Sequence, residues 1–317
     1  MGSEMCIRDR FKYFGTRPDD PNDIIPHENR RELRGMRVFS AWTNHDDSRS
    51  INTLDFYQGD PGKGFVKHYL IDFGSCFGSG SIKPQTRRAG YEYIIEWGPI
   101  LKAALTFGIW DRPWRKVKYP DYPQIGRFEG DYFQPYLWKP EYPNPAFVRM
   151  QPQDAFWAVR IVAEFTDEIV AAIVKTGEIT DPEAENYLIE TLIKRRDKII
   201  SYYLPRICSL DRFTVTKRTA GDAELSFRDL GKMHGVYSAP SYHYRWFTYD
   251  NLTGKTAEIG IESTSTEAKW EIPQSLDAFL MVRIEVEFPG YLAGEHGVDV
   301  YLQNRAGQVS VVGIDRR

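Results

Sequence analysis

The fold and the function of this chain are decided by two segments, HDDSRSIN at residues 45–52 and DFG at residues 72–74. The first has the spacing H-x-D-x4-N, in which Asp47 is the central aspartate. Phosphoryl transfer needs a carboxylate that orients and deprotonates the attacking hydroxyl, and Asp47 can provide it. It also needs oxygen ligands for Mg²⁺, and Asn52 and Asp72 can provide them. The sequence therefore predicts a phosphoryl-transfer site built from these two segments.

The residues between the two segments predict a β-hairpin. Residues 52–57 (NTLDFY) and 65–71 (FVKHYLI) have the composition of strands, and residues 58–64 (QGDPGKG) that of a turn. The second strand ends directly before Asp72, so the hairpin is expected to connect the loop to the DFG turn.

Arg49 lies two residues after Asp47. Its guanidinium group can neutralise a transferred phosphate and bind it through two parallel hydrogen bonds. Asp46 is the neighbouring alternative to Asp47, but only Asp47 satisfies the spacing to both His45 and Asn52. We therefore expect Asp47, and not Asp46, to be the base.

Together these motifs resemble the catalytic loop and the metal-binding turn of the protein-kinase-like superfamily, particularly of its atypical branches. The resemblance implies that Asp47 is the catalytic base and that Asn52 and Asp72 bind Mg²⁺, with ATP as the phosphate donor. The other implied site residues are His45 and Arg49, which are catalytic, and Gly74, which contacts the cofactor.

Three longer stretches are similar to a family of uncharacterised bacterial proteins with a kinase-like core. They are residues 17–47 (RPDDPNDIIPHENRRELRGMRVFSAWTNHDD), 68–75 (HYLIDFGS) and 154–168 (DAFWAVRIVAEFTDE). This resemblance implies the fold, but it does not name the phosphate acceptor.

The expected fold class is α+β, with a mainly helical kinase-like C-lobe that carries a catalytic-loop hairpin, followed by an all-β, sandwich-like domain. The predicted boundaries are 11–205 for the C-lobe and 206–317 for the β domain. A complete kinase has a Gly-rich loop and a strand lysine before its catalytic loop, and the residues before His45 contain neither. We therefore expect an N-terminally truncated fragment, and we expect residues 1–10 (MGSEMCIRDR) to be non-native.

Periodicity of the apolar residues predicts the helices and strands in the two parts. The expected helices are 30–43, 91–109 (which Gly98-Pro99 can interrupt), 154–175 capped by Asp154, and 182–203. The expected strands are 212–217, 224–228, 242–249, 258–262, 278–288, 299–303 and 310–314. Residues 112–145, rich in Pro, Tyr and Trp, are expected to form a long loop anchored by its aromatic side chains. The run 194–196 (KRR) is expected to be a solvated helix face.

Composition excludes some classes of function. The chain has 317 residues, 42% hydrophobic and 27% charged, with a net charge of −3, which does not favour a dedicated nucleic-acid binder. Cys6, Cys76 and Cys208 are too scattered for a zinc site or a disulfide framework, and no apolar run is long enough to cross a membrane. The compartment, the partner that accepts phosphate and the oligomeric state are not predicted.

Two alternatives to an active phosphotransferase remain open. The chain could be a pseudokinase scaffold or binding protein, whose β domain recognises a protein or a glycan through Trp246 and Trp270, although core packing is the simpler role for these rings. It could also be a metal-dependent hydrolase, and the metal ligands would then be His45, Asp46, Asp47 and His68.

Overall fold

The computed structural model of the protein describes residues 10–60, 62–217, 223–274, 278–290 and 297–317. The chain divides into two compact units, one up to Ile199 and one from Ile200 onward. Of the described residues, 31% are helical and 28% lie in strands. The predicted non-native segment 1–10 lies, except for Arg10, outside the described residues.

The N-terminal unit combines short helices, one hairpin and long irregular segments. Its helices are α1 (Arg31–Thr43), α2 (Trp97–Leu105), α3 (Pro145–Val148), α4 (Pro152–Val162), α5 (Asp167–Lys175) and α6 (Pro182–Tyr203), and its strands are β1 (Thr53–Gln58) and β2 (Phe65–Leu70).

The predicted mainly helical, kinase-like C-lobe is wrong. Residues 79–96 and 106–144 contain only bridges, turns and one short 3₁₀ helix, Pro113–Lys116, so that regular helices do not dominate this unit. The sequence pattern misled because most residues of 91–109 are apolar, and apolar residues at helical spacing do not by themselves give a packed helix. Only Trp97–Leu105 is helical there, and Gly98-Pro99 lies in its first turn.

Helix α1 packs against α4, and the sequence explains how closely. A side chain at Gly35 would collide with the ring of Trp157 and the main-chain carbonyl of Asp154, so glycine permits the two helices to touch. Asp154 was expected to be the N-cap of one long helix. It is instead the third residue of α4, where its carboxylate accepts a hydrogen bond from Gln151 N (2.8 Å) in a capping box.

Residues 163–166 are not helical and separate α4 from α5, so the predicted single helix 154–175 is wrong. Thr166 caps α5 by accepting a hydrogen bond from Ile169 N, and this second cap signal identifies the new helix start. By contrast, α1 and α6 lie within one residue of their predicted bounds.

The C-terminal unit consists mostly of antiparallel strands. They are β3 (Leu210–Lys217), β4 (Ala223–Asp229), β5 (Ser241–Tyr249), β6 (Thr256–Ser265), β7 (Lys269–Glu271), β8 (Phe279–Glu287), β9 (Gly297–Arg305) and β10 (Gln308–Arg316), with the one-turn helix α7 (Leu230–Met233) between β4 and β5. They form a five-stranded sheet in the order β10-β9-β8-β5-β6 and a three-stranded sheet in the order β3-β4-β7.

Side chains from both sheets contribute to one hydrophobic core in this unit. All seven predicted strands overlap observed ones, and β7 is the strand that the sequence pattern missed, because it has only three residues. Trp246 and Trp270 are each 6% exposed in this core, and Trp270 stacks on Tyr244 with ring centroids 4.0 Å apart. These rings are therefore core residues and not a surface platform for a glycan.

Two further findings concern the whole described chain. No helix among the described residues has both the length and the apolar character needed to span a bilayer. Cys76 and Cys208 are buried free thiols, and burial raises the pKa of each to about 11.

Candidate functional site

The predicted catalytic loop begins where α1 ends. Asn44 terminates the helix in the left-handed conformation (φ 52°), which turns the chain so that His45 N bonds back to Ser40 O at 2.8 Å. A 3₁₀ turn at Ser50–Asn52 then leads into β1. The loop is thus fixed at both ends by regular structure.

Asn52 fastens the loop to Asp47. Its side-chain amide donates to the main-chain carbonyl of Asp47 at 2.8 Å and to the Asp47 carboxylate at 2.9 Å. The two residues, which are five positions apart in the sequence, are therefore in direct contact. Because the amide nitrogen makes both hydrogen bonds, the amide oxygen of Asn52 remains available to accept a hydrogen bond or to bind a cation.

Arg49 forms an ion pair with Asp47. Its Nη2 donates to Asp47 Oδ2 at 2.9 Å, and its Nε lies against Oδ1. The hydrogen bond that Arg49 donates to Asp47 raises the pKa of Arg49. The guanidinium carbon also lies 4.9 Å from the centroid of the Tyr142 ring. In this structure Arg49 therefore neutralises the base that it was predicted to assist.

His45 lies beneath the loop and contacts the DFG turn. Its ring is 2% exposed, its Nδ1 lies 2.7 Å from Ser75 Oγ, and its centroid lies 5.7 Å from that of Phe73. Burial lowers the pKa of His45, and the charges of Asp47 and Asp72 oppose this shift. Both carboxylates therefore act on one imidazole from opposite segments. Its Nε2 is buried and has no hydrogen-bond partner among the residues that the structure describes.

Asp72 is placed by the hairpin. The β1–β2 register pairs Thr53 with Leu70, and one step further Ile71 N donates to Asn52 O at 3.0 Å. Asp72 follows in the left-handed conformation (φ 59°) at the start of the 3₁₀ turn Phe73–Gly78. The hairpin thus brings the DFG turn to the Asn52 end of the loop, as the sequence predicted.

The donor set is compatible with Mg²⁺. Asp72 is exposed, and its carboxylate makes no hydrogen bond or ion pair within the described part of the chain. Together with the Asn52 amide oxygen it provides hard oxygen donors, and Mg²⁺ characteristically adds water and substrate phosphate to one or two carboxylates. Gly74 lies beside Asp72, since a side chain there would approach Asp72 Oδ1 to 3.4 Å.

The ligands of the alternative hydrolase do not come together. His68 pairs with Asp55 across the hairpin at 2.6 Å, whereas His45 pairs with Ser75. Among the residues that the structure describes, no group of three or more His, Cys, Asp or Glu side chains could hold a metal ion.

Asp46 has an unusual environment that the sequence did not reveal. It is 8% exposed, and its carboxyl group accepts one long hydrogen bond, from Gly90 N at 3.4 Å. Burial, aided by the nearby charge of Glu141, raises its pKa to about 7. A buried carboxyl group directly beside Asp47 with a pKa of about 7 would change the charge of the loop near neutral pH.

A network of buried charges supports the hairpin and was also missed. Asp55 on β1 lies between Arg17 and His68. Arg17 also contacts Asp23. The carboxylate of Asp23 lies 2.8 Å from His27 Nε2. The repeated aspartates before residue 25 are the sequence signal that could have revealed this network.

A cavity of about 470 Å³ opens beside the loop. Its lining comprises Tyr13, Phe14, Arg49, Tyr142, Pro143 and Pro145. Burial raises the pKa of Tyr13, whose hydroxyl interacts with Ser50 and senses the charges of Arg49 and Asp47. The cavity therefore reaches the ion pair that contains the candidate base.

The basic run 194–196 is not the solvated face that the sequence predicted. Arg195 is buried and donates to three main-chain carbonyls, of Ala41, Trp42 and Glu129, with 2.9 Å to Trp42 O and 2.8 Å to Glu129 O. Its guanidinium carbon lies 3.7 Å from the centroid of Phe133. Arg195 is thus a structural cation in the core.

No family model, curated protein or solved structure matches this chain. The comparisons therefore provide no link to the protein-kinase-like superfamily.

Proposed function

We propose that this chain is a phosphotransferase that uses ATP and Mg²⁺ and transfers phosphate to a hydroxyl group. The observation that carries the proposal is the contact between Asn52 and Asp47, with Asp72 delivered to the same end of the loop by the hairpin. ATP as donor rests on the resemblance of the two motifs to kinase motifs.

In this proposal Asp47 orients the attacking hydroxyl and accepts its proton. Asn52, whose amide nitrogen is committed to Asp47, and Asp72, which is exposed, hold the metal ion with their oxygens. When bound, Mg²⁺ neutralises charge on the phosphates. His45 supports the arrangement by contacting Phe73 within the DFG turn.

In this reaction Arg49 has two alternative partners, the Asp47 carboxylate and the transferred phosphate. In the structure it is paired with Asp47. A phosphate carries more negative charge than one carboxylate and attracts the guanidinium more strongly. Transfer of Arg49 from Asp47 to phosphate would free the base and stabilise the transferred group in the same step.

The acceptor would enter through the cavity beside Arg49. Its walls are aromatic rings and prolines, with the guanidinium and two phenol groups as polar members. Such a lining accommodates the apolar body of a small molecule and positions a hydroxyl through few hydrogen bonds.

The proposal is tested by calorimetric titration of the purified chain with ATP, with and without Mg²⁺. We expect Mg²⁺-dependent nucleotide binding that Asp72→Asn weakens at least about tenfold, since one of two protein ligands loses its charge. Asp47→Asn is the matched control, because it removes the base and leaves both metal ligands. It should retain binding and lose phosphate transfer. Absence of Mg²⁺-dependent binding in the wild type would refute the proposal.

The second candidate is a scaffold that resembles a kinase locally and transfers nothing. The hydrogen bonds that Arg49 and Asn52 donate to the Asp47 carboxylate favour it, because a base held by two partners is poorly placed to accept a proton. This candidate predicts that Arg49→Ala does not create or increase nucleotide turnover, whereas the phosphotransferase requires a changed rate.

A further inference from the structure

Helix α2 and the residues that follow it expose apolar side chains to an unusual extent. No residue of α2 is buried. Trp97 is 70% exposed, Leu105 81%, Phe107 94% and Ile109 87%. Exposed apolar residues are ordinary when scattered, but a continuous group of them marks a surface that binds something.

The exposure is not confined to one face of the helix. The segment WGPILKAALTFGIW, residues 97–110, contains no acidic residue and a single cation, Lys102. Ile100 and Leu101 are neighbours on the helix and are both exposed, at 37% and 56%. A groove on a protein partner covers one stripe of a helix, whereas a bilayer can surround the apolar side chains on most of its circumference.

Most of the charges at the rim of this surface are positive. Arg112 is paired with the buried Glu92, and Arg115 with Asp111. Lys116 and Lys118 are exposed, and neither makes an ion pair with another described residue. Lys102, whose ammonium lies 4.6 Å from the centroid of Trp110, is on the apolar segment itself.

We propose that the α2 surface, defined as residues 94–118, docks onto an anionic lipid bilayer. The apolar side chains of 94–110 would enter the boundary between headgroups and acyl chains. Tryptophans such as Trp97 and Trp110 are suited to that boundary, because an indole ring is apolar with one polar N–H. Lys102, Lys116 and Lys118 would contact lipid phosphates.

Charge separates this occupant from a second copy of the chain. In a two-fold symmetric dimer the same surface meets itself, so the three lysines of one copy would face those of the other. Anionic headgroups instead complement them, although the chain as a whole carries a net charge of −3. The attraction is local, and it should weaken with salt.

The test is sedimentation of the full chain with vesicles of phosphatidylcholine alone and of phosphatidylcholine mixed with phosphatidylglycerol. We expect binding to the mixed vesicles, weaker binding to the neutral ones and release by salt. Lys116→Glu with Lys118→Glu should reduce affinity, by roughly fivefold or more for each lysine. Leu105→Glu should abolish binding, because it places a carboxylate in the apolar layer.

Leu252→Glu is the matched control, since Leu252 is 96% exposed and lies on a turn of the C-terminal unit. It adds the same charge elsewhere and should leave binding unchanged. All four positions are exposed, so these variants should retain their fold, which circular dichroism would verify. Equal binding of Leu105→Glu and Leu252→Glu would overturn the proposal. A concentration-dependent dimer without vesicle binding would assign the surface to a second copy instead.

Discussion

Asp55 and His68 face each other across the β1–β2 hairpin, with His68 Nδ1 2.6 Å from Asp55 Oδ1. The other oxygen of Asp55 is paired with Arg17, and Asp55 is 2% exposed. The hairpin that connects the catalytic loop to the DFG turn is therefore held by a buried carboxylate with a cation on one side and an imidazole on the other.

Asp55→Asn should strongly destabilise the N-terminal unit. Breaking a buried ion pair by removing one partner costs roughly 3–5 kcal/mol, because the other charge stays buried. Urea denaturation followed by circular dichroism would measure the loss. His68→Gln is the control, since the side chain of His68 is 43% exposed and should cost less than about 1 kcal/mol. Similar losses for both variants would show that Asp55 does not act through Arg17.

Asp46→Asn should stabilise the protein at alkaline pH. Its folded-state pKa of about 7 exceeds the ordinary value of 3.8, so the contribution of Asp46 to stability is complete below 3.8 and is lost as the pH rises through 7. An asparagine keeps the neutral shape at every pH. At about pH 8 the variant should exceed the wild type in free energy of unfolding by an amount on the order of 4 kcal/mol.

The control for this experiment is Asp121→Asn, which changes an exposed aspartate. Its free energy of unfolding should follow that of the wild type at each pH. If Asp46→Asn and the wild type showed parallel pH dependence between about pH 4 and pH 8, the carboxyl group of Asp46 would be charged in the folded protein.

His27 should contribute a pH dependence of the opposite sign. Burial lowers its pKa below 6.5, so its contribution to stability is complete above 6.5 and is lost as the pH falls below that value. His27 accepts a hydrogen bond from Lys12 N at 2.6 Å, which requires an unprotonated Nδ1. The difference in free energy of unfolding between wild type and His27→Gln should therefore shrink between about pH 7.5 and pH 5. A difference that grew on acidification would contradict this.

Arg195→Met should cost far more stability than Lys194→Met. The first change removes the guanidinium donor from the carbonyls of Ala41, Trp42 and Glu129, at roughly 1–3 kcal/mol for each buried group that is left unsatisfied. Lys194 forms an exposed ion pair with Asp131, and such pairs contribute about 0–1 kcal/mol. Thermal unfolding of both variants would compare them. A small effect of Arg195→Met would mean that water satisfies these carbonyls.

The local structure of the candidate site was predictable because it depends on neighbours in sequence. The hairpin, the proximity of Asn52 to Asp47 and the approach of the DFG turn all follow from short-range spacing and strand register. The strands of the C-terminal unit were predictable for the same reason, since alternation of apolar residues is a local signal.

The overall fold of the N-terminal unit was not predictable in this way. Whether residues 91–109 form a packed helix depends on what covers them, and the sequence pattern cannot show that α2 remains uncovered. The burial of Arg195 and the charge network of Asp55 depend on contacts between distant segments. Composition alone therefore assigned the first to the surface and left the second undetected.

The three hydrogen bonds of Arg195 have a consequence for the dynamics of the chain. One guanidinium ties the last turn of α1 and the irregular segment at Glu129 to α6. If one of these segments separated, the buried guanidinium would lose hydrogen bonds, so local unfolding of a single segment is unfavourable. In native-state hydrogen exchange their amides should lose protection as a single cooperative unit.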